Sequence, residues 1–267
     1  MLWKRLEILL LPRLLVLRRA SIKRSRHGGV PAQAQPIEQA LDGADWRAAV
    51  AALGKVLGSE ARRGTRVHLA LSDLWVRSCL MPVAANGLNE EQMRLLAQTH
   101  FARQYPETGQ DNWTYRLAMQ GTRLLAAGME SGLLDALREV NVKAGAQLVR
   151  MEPLFGWVYD RFEKALAGAS GWMLLDEPGM LSLAFVEQGR MLSLHCQRCD
   201  GDPDETALQL LQRQSALLAQ PAVELRVFSV AARQLRLPPP WRIVLAQRVF
   251  DFDDALQPGA VPLALSH

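Results

Sequence analysis

The first apolar run of the chain has a proline at its centre. Residues 6–11 and 14–17 are leucine, isoleucine or valine except at Glu7, and Pro12-Arg13 separates them. Proline lacks an N–H donor and interrupts a helix at its middle, so the two arms predict a β-hairpin. Arms that are apolar on both faces predict central strands of a sheet that is covered on both sides. The alternative is an amphipathic helix whose basic residues lie on anionic lipid.

The composition is that of a globular protein with a large core. Hydrophobic residues make up 49% and charged residues 22% of the 267 residues, which excludes wholesale disorder. This length is enough for one large domain or two of ordinary size. Three cysteines are too few for a disulfide framework and fit a reducing compartment.

The positive charge of the chain is concentrated at its N-terminus. Eight basic residues against Glu7 give residues 1–26 a charge of +7, and subtracting this from the net charge of +4 leaves −3 for the remainder. The segment lacks the pattern of a signal peptide, because Pro12-Arg13 interrupts its apolar run and Arg18-Arg19 ends it. No stretch of the sequence approaches the ~20 apolar residues of a membrane span. We therefore expect a cytoplasmic protein whose basic segment favours an anionic membrane surface.

Downstream, helix-start signals alternate with short apolar runs. Asp45, Asn89, Ser131 and Asp202 are predicted N-caps, and Asn89 followed by Glu-Glu-Gln resembles a capping box. The predicted strands are 66–72, 76–82, 113–119, 123–129, 147–151, 171–176, 179–186, 190–195, 223–228 and 241–246, with turns at Gln120-Gly121 and Gln188-Gly189; residues 28–36 are a predicted loop. Both halves open with apolar hairpins and proceed through helix, strand and helix, which predicts an α/β architecture built twice.

No motif in the sequence predicts catalysis or metal binding. The run His195-Cys196-Gln197-Arg198-Cys199 contains C-x-x-C, but a structural zinc needs four ligands and a redox pair is expected at the start of a helix, whereas this motif lies at a strand end. The five histidines are scattered, and Asp251-Phe252-Asp253-Asp254 is interpreted as a solvated acidic turn. Neither of the two common glycine-rich phosphate loops is present. We therefore expect no catalytic residue, no metal and no cofactor.

The order of the elements resembles the actin-like ATPase superfamily, in the branch of PilM-, MshI- and GspL-type pilus and secretion proteins. The resemblance covers residues 4–250 and is carried by the hairpin Leu6–Leu17, the segment Leu69–Pro82 before a helix that begins Asn-Glu-Glu, and the meander Trp172–His195. It implies a duplicated, RNase H-like (actin-like) two-lobed α/β fold with mixed sheets flanked by helices. The first lobe, with an inserted subdomain, would comprise residues 1–152 and the second 153–250, before a flexible tail over 251–267.

Both loops that hold phosphate in active members of this family are altered here. In those members Asp-x-Gly turns hold the ATP phosphates, because glycine lets backbone N–H groups approach and aspartate positions the metal. The first loop here is Leu11-Pro12-Arg13, with neither residue type. The second is Asp176-Glu177-Pro178-Gly179, in which Asp176 and Gly179 are remnants and Glu177 adds negative charge where phosphate would lie. The resemblance therefore implies a pseudo-ATPase that binds no cofactor.

The resemblance also implies a function in assembly. It predicts a non-catalytic cytoplasmic scaffold or adapter, peripheral at the inner membrane, of an inner-membrane type IV pilus or type II secretion-like system. The partner would be the short cytoplasmic tail of a PilN-like membrane protein, which would lie in a groove or add a strand to a sheet edge. Two alternatives stay open: an active ATP-binding actin-like protein, and a basic protein that binds nucleic acid or a membrane surface. Nucleic acid is not the expected partner, since Trp3 is the only aromatic residue in the basic segment.

Overall fold

Residues Arg5–Leu11 (β1) and Leu14–Ala20 (β2) form the predicted hairpin around Pro12-Arg13. The helical alternative for this segment is wrong. The computed structural model describes residues 5–20, 37–41, 45–83, 88–105, 112–166, 168, 170–220, 223–230 and 234–249. The predicted loop 28–36 and the predicted tail 251–267 lie outside these ranges.

The other described elements follow in chain order. They are β3 (Ile37–Ala40), α1 (Trp46–Glu60), β4 (Arg66–Leu71), β5 (Val76–Pro82), α2 (Glu90–Gln104), β6 (Trp113–Gln120), β7 (Arg123–Glu130), α3 (Ser131–Lys143), β8 (Gln147–Pro153), α4 (Leu154–Leu166), β9 (Gly171–Glu177), β10 (Met180–Glu187), β11 (Arg190–Arg198), α5 (Pro203–Leu218), β12 (Glu224–Ser229) and β13 (Arg242–Arg248). Among the described residues, no helix has the length and apolar character needed to cross a bilayer. The chain divides into two units, Met1–Arg77 with Pro82–Trp157, and Ser78–Met81 with Val158–His267.

In the first unit, five strands form a mixed sheet in the order β3-β2-β1-β4-β8. Strand β1 is antiparallel to β2 and parallel to β4, and β4 is parallel to β8. Helices α1 and α3 pack on the face of the sheet that carries Leu6, Ile8 and Leu10, all of them buried. Because the strand period is two, Glu7 and Leu9 point to the opposite face and are buried there. Burial on both faces is why this arm is almost continuously apolar in sequence.

The second unit repeats this plan. Its sheet has the order β11-β10-β9-β12-β13, in which β9 is antiparallel to β10 and parallel to β12, and β12 is parallel to β13. Helix α5 covers one face, where Leu210 and Trp172 belong to one buried cluster. Helix α4 reaches the other face, where the ring centroids of Phe162 and Phe228 are 4.4 Å apart. The predicted duplicated α/β fold, with mixed sheets flanked by helices, is confirmed.

The two sheets also share a bulge at the same position of their edge strands, β8 and β13. The pairing of β4 with β8 shifts register after Val67, which leaves Val149 as the extra residue. The pairing of β12 with β13 shifts at the equivalent point after Leu225, and Val244 is the extra residue there. Both valines are partly exposed, at 40% and 37%. Such bulges bend an edge strand and hinder its pairing with another chain.

The chain between β4 and β8 forms a smaller sheet. Strands β5, β7 and β6 form a three-stranded sheet in that order, and α2 covers one face of it. The ring of Phe101 lies 6.1 Å from that of Trp113 and 5.3 Å from that of Tyr115. The predicted capping box of α2 is confirmed. Asn89 Oδ1 accepts a hydrogen bond from the Gln92 N–H at 2.8 Å, and Gln92 Oε1 accepts one from the Asn89 N–H at 3.0 Å.

Two local predictions for the segment between β4 and β8 are wrong. The turn between β6 and β7 is Gly121-Thr122 and not Gln120-Gly121, because Gln120 pairs with Arg123. Ser131 does not cap α3, since the N-cap position is Glu130 and no side chain caps it. The Ser131 hydroxyl instead lies 2.9 Å from that of Thr114 in β6. The Ser131 hydroxyl thus forms a tertiary hydrogen bond with Thr114 instead of the predicted cap of its own helix.

The side chain of a buried aspartate caps the N-terminus of α4. Asp73, which follows β4, accepts a hydrogen bond from the Phe155 N–H at 3.2 Å and so caps a helix 82 residues further along the chain. The Asp73 carbonyl accepts a second hydrogen bond from Arg77 Nη1 at 3.1 Å. The Arg77 guanidinium also lies 5.1 Å from the centre of the Tyr105 ring, within the range of a cation–π interaction. This remote cap has no signal in the local sequence.

Candidate functional site

The first predicted phosphate loop is a two-residue turn. Leu11 pairs with Leu14, which leaves Pro12 and Arg13 as the turn residues. Pro12 has no N–H, and the Arg13 carbonyl accepts a hydrogen bond from the Leu41 N–H at 3.0 Å. The turn therefore has at most one backbone N–H, that of Arg13, to offer an anion. The Arg13 side chain is exposed.

The second predicted phosphate loop has the same form. Glu177 pairs with Met180, so the turn is Pro178-Gly179, and Asp176 and Glu177 are the last two residues of β9. Gly179 has a φ of 85°, the conformation that glycine provides at the third position of a type II turn after proline. A Cβ at Gly179 would meet nothing within 4 Å, so the backbone conformation alone accounts for glycine there.

The register of the two sheets places these turns at equivalent positions. Leu6 and Trp172 each pair with the residue that stands directly before a bulge in the neighbouring strands. Counting along β1 and β9 from these residues aligns Leu10-Leu11-Pro12-Arg13 with Asp176-Glu177-Pro178-Gly179. Leucine thus occupies in the first unit the position that Asp176 holds in the second, and proline occupies the same turn position in both.

Asp176 is hydrogen-bonded to residues of the second unit. It is buried, its Oδ2 accepts a hydrogen bond from Ser229 Oγ at 3.2 Å, and its carbonyl accepts one from the Val230 N–H at 2.9 Å. Glu177 is buried as well. Ser229 was not among the residues predicted from the sequence, because its position beside Asp176 follows from the parallel pairing of β9 with β12. The structure therefore brings together Asp176, Gly179 and Ser229 at one end of the second sheet.

These two turns are poorly suited to hold a polyphosphate. A backbone phosphate cradle consists of successive N–H groups that point into one concavity. Each turn here consists of two residues, and proline removes one of the two N–H donors. The candidates that remain are the N–H groups of Arg13 and Gly179, one in each unit. The geometry supports hairpin closure better than phosphate binding.

The C-x-x-C motif is split between a strand and the loop that follows it. Cys196 lies in β11 and is buried, whereas Cys199 follows the strand and is partly exposed. Cys196 Sγ accepts a hydrogen bond from Ser182 Oγ at 3.3 Å. Burial, with the neighbouring Cys196 thiol, raises the pKa of Cys79 to about 12, so this thiol is protonated at neutral pH. Within the described part of the chain, no group of three or more His, Cys, Asp or Glu residues is placed to hold a metal ion.

Two histidines, His68 and His100, have a lowered pKa. Burial, followed by the positive charge of Arg5, lowers the pKa of His68, and Arg5 Nη2 lies 3.1 Å from its Nδ1. Burial lowers the pKa of His100, whose Nε2 lies 2.9 Å from Gln104 Oε1. Both imidazoles are therefore neutral at pH 7. These contacts favour structural roles for both residues.

No protein-family model matches the sequence, and no curated protein matches it. Solved structures do match its fold. A Bacteroides thetaiotaomicron protein with an actin-like ATPase fold and unknown function has a TM-score of 0.62 and 13% identity, over 92% of this chain and 90% of that one. The cytoplasmic domain of EpsL, an inner-membrane component of the Vibrio cholerae type II secretion system, has a TM-score of 0.58 and 11% identity, over 93% and 92%. A chain of the PilM–PilN type IV pilus biogenesis complex has a TM-score of 0.58 and 15% identity, over 84% and 80%. These comparisons show the fold, and the predicted actin-like ATPase fold is confirmed.

Proposed function

We propose that this protein is a non-catalytic cytoplasmic adapter of an inner-membrane type IV pilus or type II secretion-like assembly. The observation that carries the proposal is the proline at the same position of both hairpin turns, Pro12 and Pro178. It removes backbone donors at both places where an actin-like protein would hold phosphate. An actin-like scaffold with two such turns retains binding surfaces without the means to position ATP.

The partner in this proposal is the cytoplasmic tail of a PilN-like membrane protein. Two of the fold neighbours support this choice, since one is an inner-membrane secretion component and the other belongs to a pilus biogenesis complex of two proteins. We propose that the first lobe comprises residues 1–152 and the second residues 153–250. The protein would be recruited to the inner membrane by its partner, aided by the basic segment 1–26.

Mg-ATP at millimolar concentration is expected to give no saturable heat in calorimetry and no rise in melting temperature. A ligand at 100 times its Kd would stabilise the folded protein by ~2.7 kcal/mol, which a thermal melt detects easily. Arg13→Ala is the matched control, because weak attraction of ATP to this exposed cation disappears in the variant and at high salt. A Kd in the low micromolar range, unchanged in Arg13→Ala, would establish the ATP-binding alternative and overturn the adapter proposal.

The full-length protein is expected to capture an inner-membrane protein through its cytoplasmic tail. A synthetic peptide of that tail should then bind with micromolar affinity, about 8 kcal/mol, in calorimetry. Apolar and backbone contacts would keep the affinity at moderate salt, whereas binding through the basic segment would weaken steeply.

The matched control for this capture changes Lys23, Arg24 and Arg26 to glutamine. Arg19 is left intact because its guanidinium forms a salt bridge with Glu60 at 2.6 Å, which the change would remove. Capture that persists in this variant supports the adapter. Recovery of lipid or nucleic acid alone, lost in the variant, would support the basic-surface alternative instead.

A further inference from the structure

Strand β6 is a regular and exposed sheet edge. It pairs with β7 at eight successive positions without a shift of register, and four of its last five residues are exposed. Met119 presents 48% of its surface to solvent. A regular edge with exposed apolar side chains invites pairing with another chain, and soluble proteins usually block such edges.

The other edges of the described sheets are blocked. Strand β3 has four residues, and strand β5 is buried at six of its seven positions. Strands β8 and β13 carry the bulges at Val149 and Val244. Strand β11 has an extra residue, Leu192, where its pairing with β10 shifts register. Among the described strands, this leaves β6 as the edge that combines length, regularity and exposure.

The backbone of β6 is oriented for a second partner. The two-residue turn makes Gln120 and Arg123 a hydrogen-bonded pair, so the even-numbered residues of β6 bond to β7. The N–H and C=O groups of Tyr115, Leu117 and Met119 therefore point to the open edge. Their side chains share one face of the sheet, on which Tyr115 also packs against Phe101 of α2.

We propose that the protein forms a homodimer in which β6 pairs antiparallel with β6 of a second copy. Pairing about a two-fold axis at Leu117 sets Leu117 opposite Leu117, and Tyr115 opposite Met119 at two symmetric places. It brings the outward backbone groups of both strands together in hydrogen-bonded pairs, with roughly six hydrogen bonds in all. The exposed Met119 side chain is then covered by an aromatic ring, a favourable sulfur–aromatic contact.

The charge and length of β6 favour the register with its axis at Leu117 over the registers with an axis at Arg116 or Ala118. An axis at Arg116 would set two guanidinium groups directly opposite each other, which is destabilising. An axis at Ala118 would leave Trp113, Thr114 and Tyr115 of each copy unpaired. With the axis at Leu117 the seven residues Thr114–Gln120 of each copy face one another, and Arg116 faces Ala118 of the other copy. An interface of one strand pair is small, so the dimer is reversible and concentration-dependent.

The test is sedimentation equilibrium of the full chain over micromolar to millimolar concentration. A monomer–dimer equilibrium is expected, and Ala118→Glu should tighten it because the new carboxylate faces Arg116 of the other copy at two symmetric places. Ala118→Arg should weaken it by like charge. Each change should shift the dimer Kd by about two- to thirty-fold, in opposite directions. Ala118 is exposed and its side chain is not buried against β7, so circular dichroism and melting temperature should match the parent.

Leu117→Pro is the second variant. It removes an N–H that points to the open edge and leaves the bonds to β7 in place, so the dimer should be lost while the fold persists. A parent protein that stays monomeric at every concentration would overturn the proposal. So would a shift of the same sign in both Ala118 variants, which would place different residues across the interface. Binding of the membrane-protein tail is measured separately, and its outcome leaves this test unaffected.

Discussion

Replacing Asp73 with alanine is expected to lower the free energy of unfolding by about 2–4 kcal/mol. The carboxylate accepts a hydrogen bond from the Phe155 N–H at the start of α4, in a site without solvent access. Alanine removes the cap and leaves a buried N–H without this acceptor, and each loss is unfavourable. Asn retains an oxygen at the same place, so Asp73→Asn should cost less than Asp73→Ala. Urea denaturation monitored by circular dichroism measures the difference.

Asp45→Ala is the matched control for this prediction. Asp45 caps α1 by accepting a hydrogen bond from the Arg47 N–H at 3.0 Å, but its side chain is exposed. Water can replace that cap, and the expected cost is about 1 kcal/mol. The comparison isolates what burial adds to a helix cap. Equal losses for Asp73→Ala and Asp45→Ala would mean that the buried cap contributes no more than an exposed one.

The features that sequence predicts correctly are local. The hairpin at Pro12, the cap at Asp45 and the capping box at Asn89 all depend on residues within a few positions of one another. The pattern of apolar residues located most strands, because it too depends only on residues close together in the sequence. Strand β3 was missed because its four residues, Ile-Glu-Gln-Ala, are too few to show a period of two.

The features that sequence could not predict depend on tertiary contacts. Asp73 caps a helix that begins about 80 residues further along the chain. The Ser131 hydroxyl is hydrogen-bonded to that of Thr114 and does not cap its own helix. At the candidate site, the residue types of both turns were visible in the sequence. The residue-by-residue alignment of the two turns was not, because it follows from the register of parallel strands. The bond from Ser229 to Asp176 has the same origin.

The two sheets carry different residue pairs at the equivalent position near the turns, and in each sheet the two members of the pair match in polarity. Leu10 is opposite Leu71 in the first sheet, and at the equivalent place in the second sheet Asp176 is opposite Ser229. One pair is apolar on both sides and the other is polar on both sides. A buried carboxylate opposite a leucine would lose a hydrogen bond, which costs about 1–3 kcal/mol. Asp176 in the second unit therefore has a structural role that does not require a nucleotide.

Leu210→Ala is expected to lower the free energy of unfolding by about 3–5 kcal/mol. Leu210 lies in α5 with 0% of its surface exposed, in the buried cluster that contains Trp172. Truncation removes apolar contacts and leaves a cavity, because the close-packed sheet beneath the helix relaxes only in part. Urea denaturation of the full chain measures the loss, and hydrogen exchange should show it in β9, β10 and β12.

Leu217→Ala is the control within the same helix, two turns further on. Leu217 is 71% exposed, so the same chemical change should alter the free energy of unfolding by no more than about 0.5 kcal/mol. A small loss at Leu210 would mean that the α5 cluster is loosely packed and that the core of the second unit lies elsewhere. If Leu217→Ala instead weakens capture of the membrane protein at unchanged stability, the exposed end of α5 belongs to the partner-binding surface. The pair of variants thus separates a leucine that holds the fold from one that is free to contact a partner.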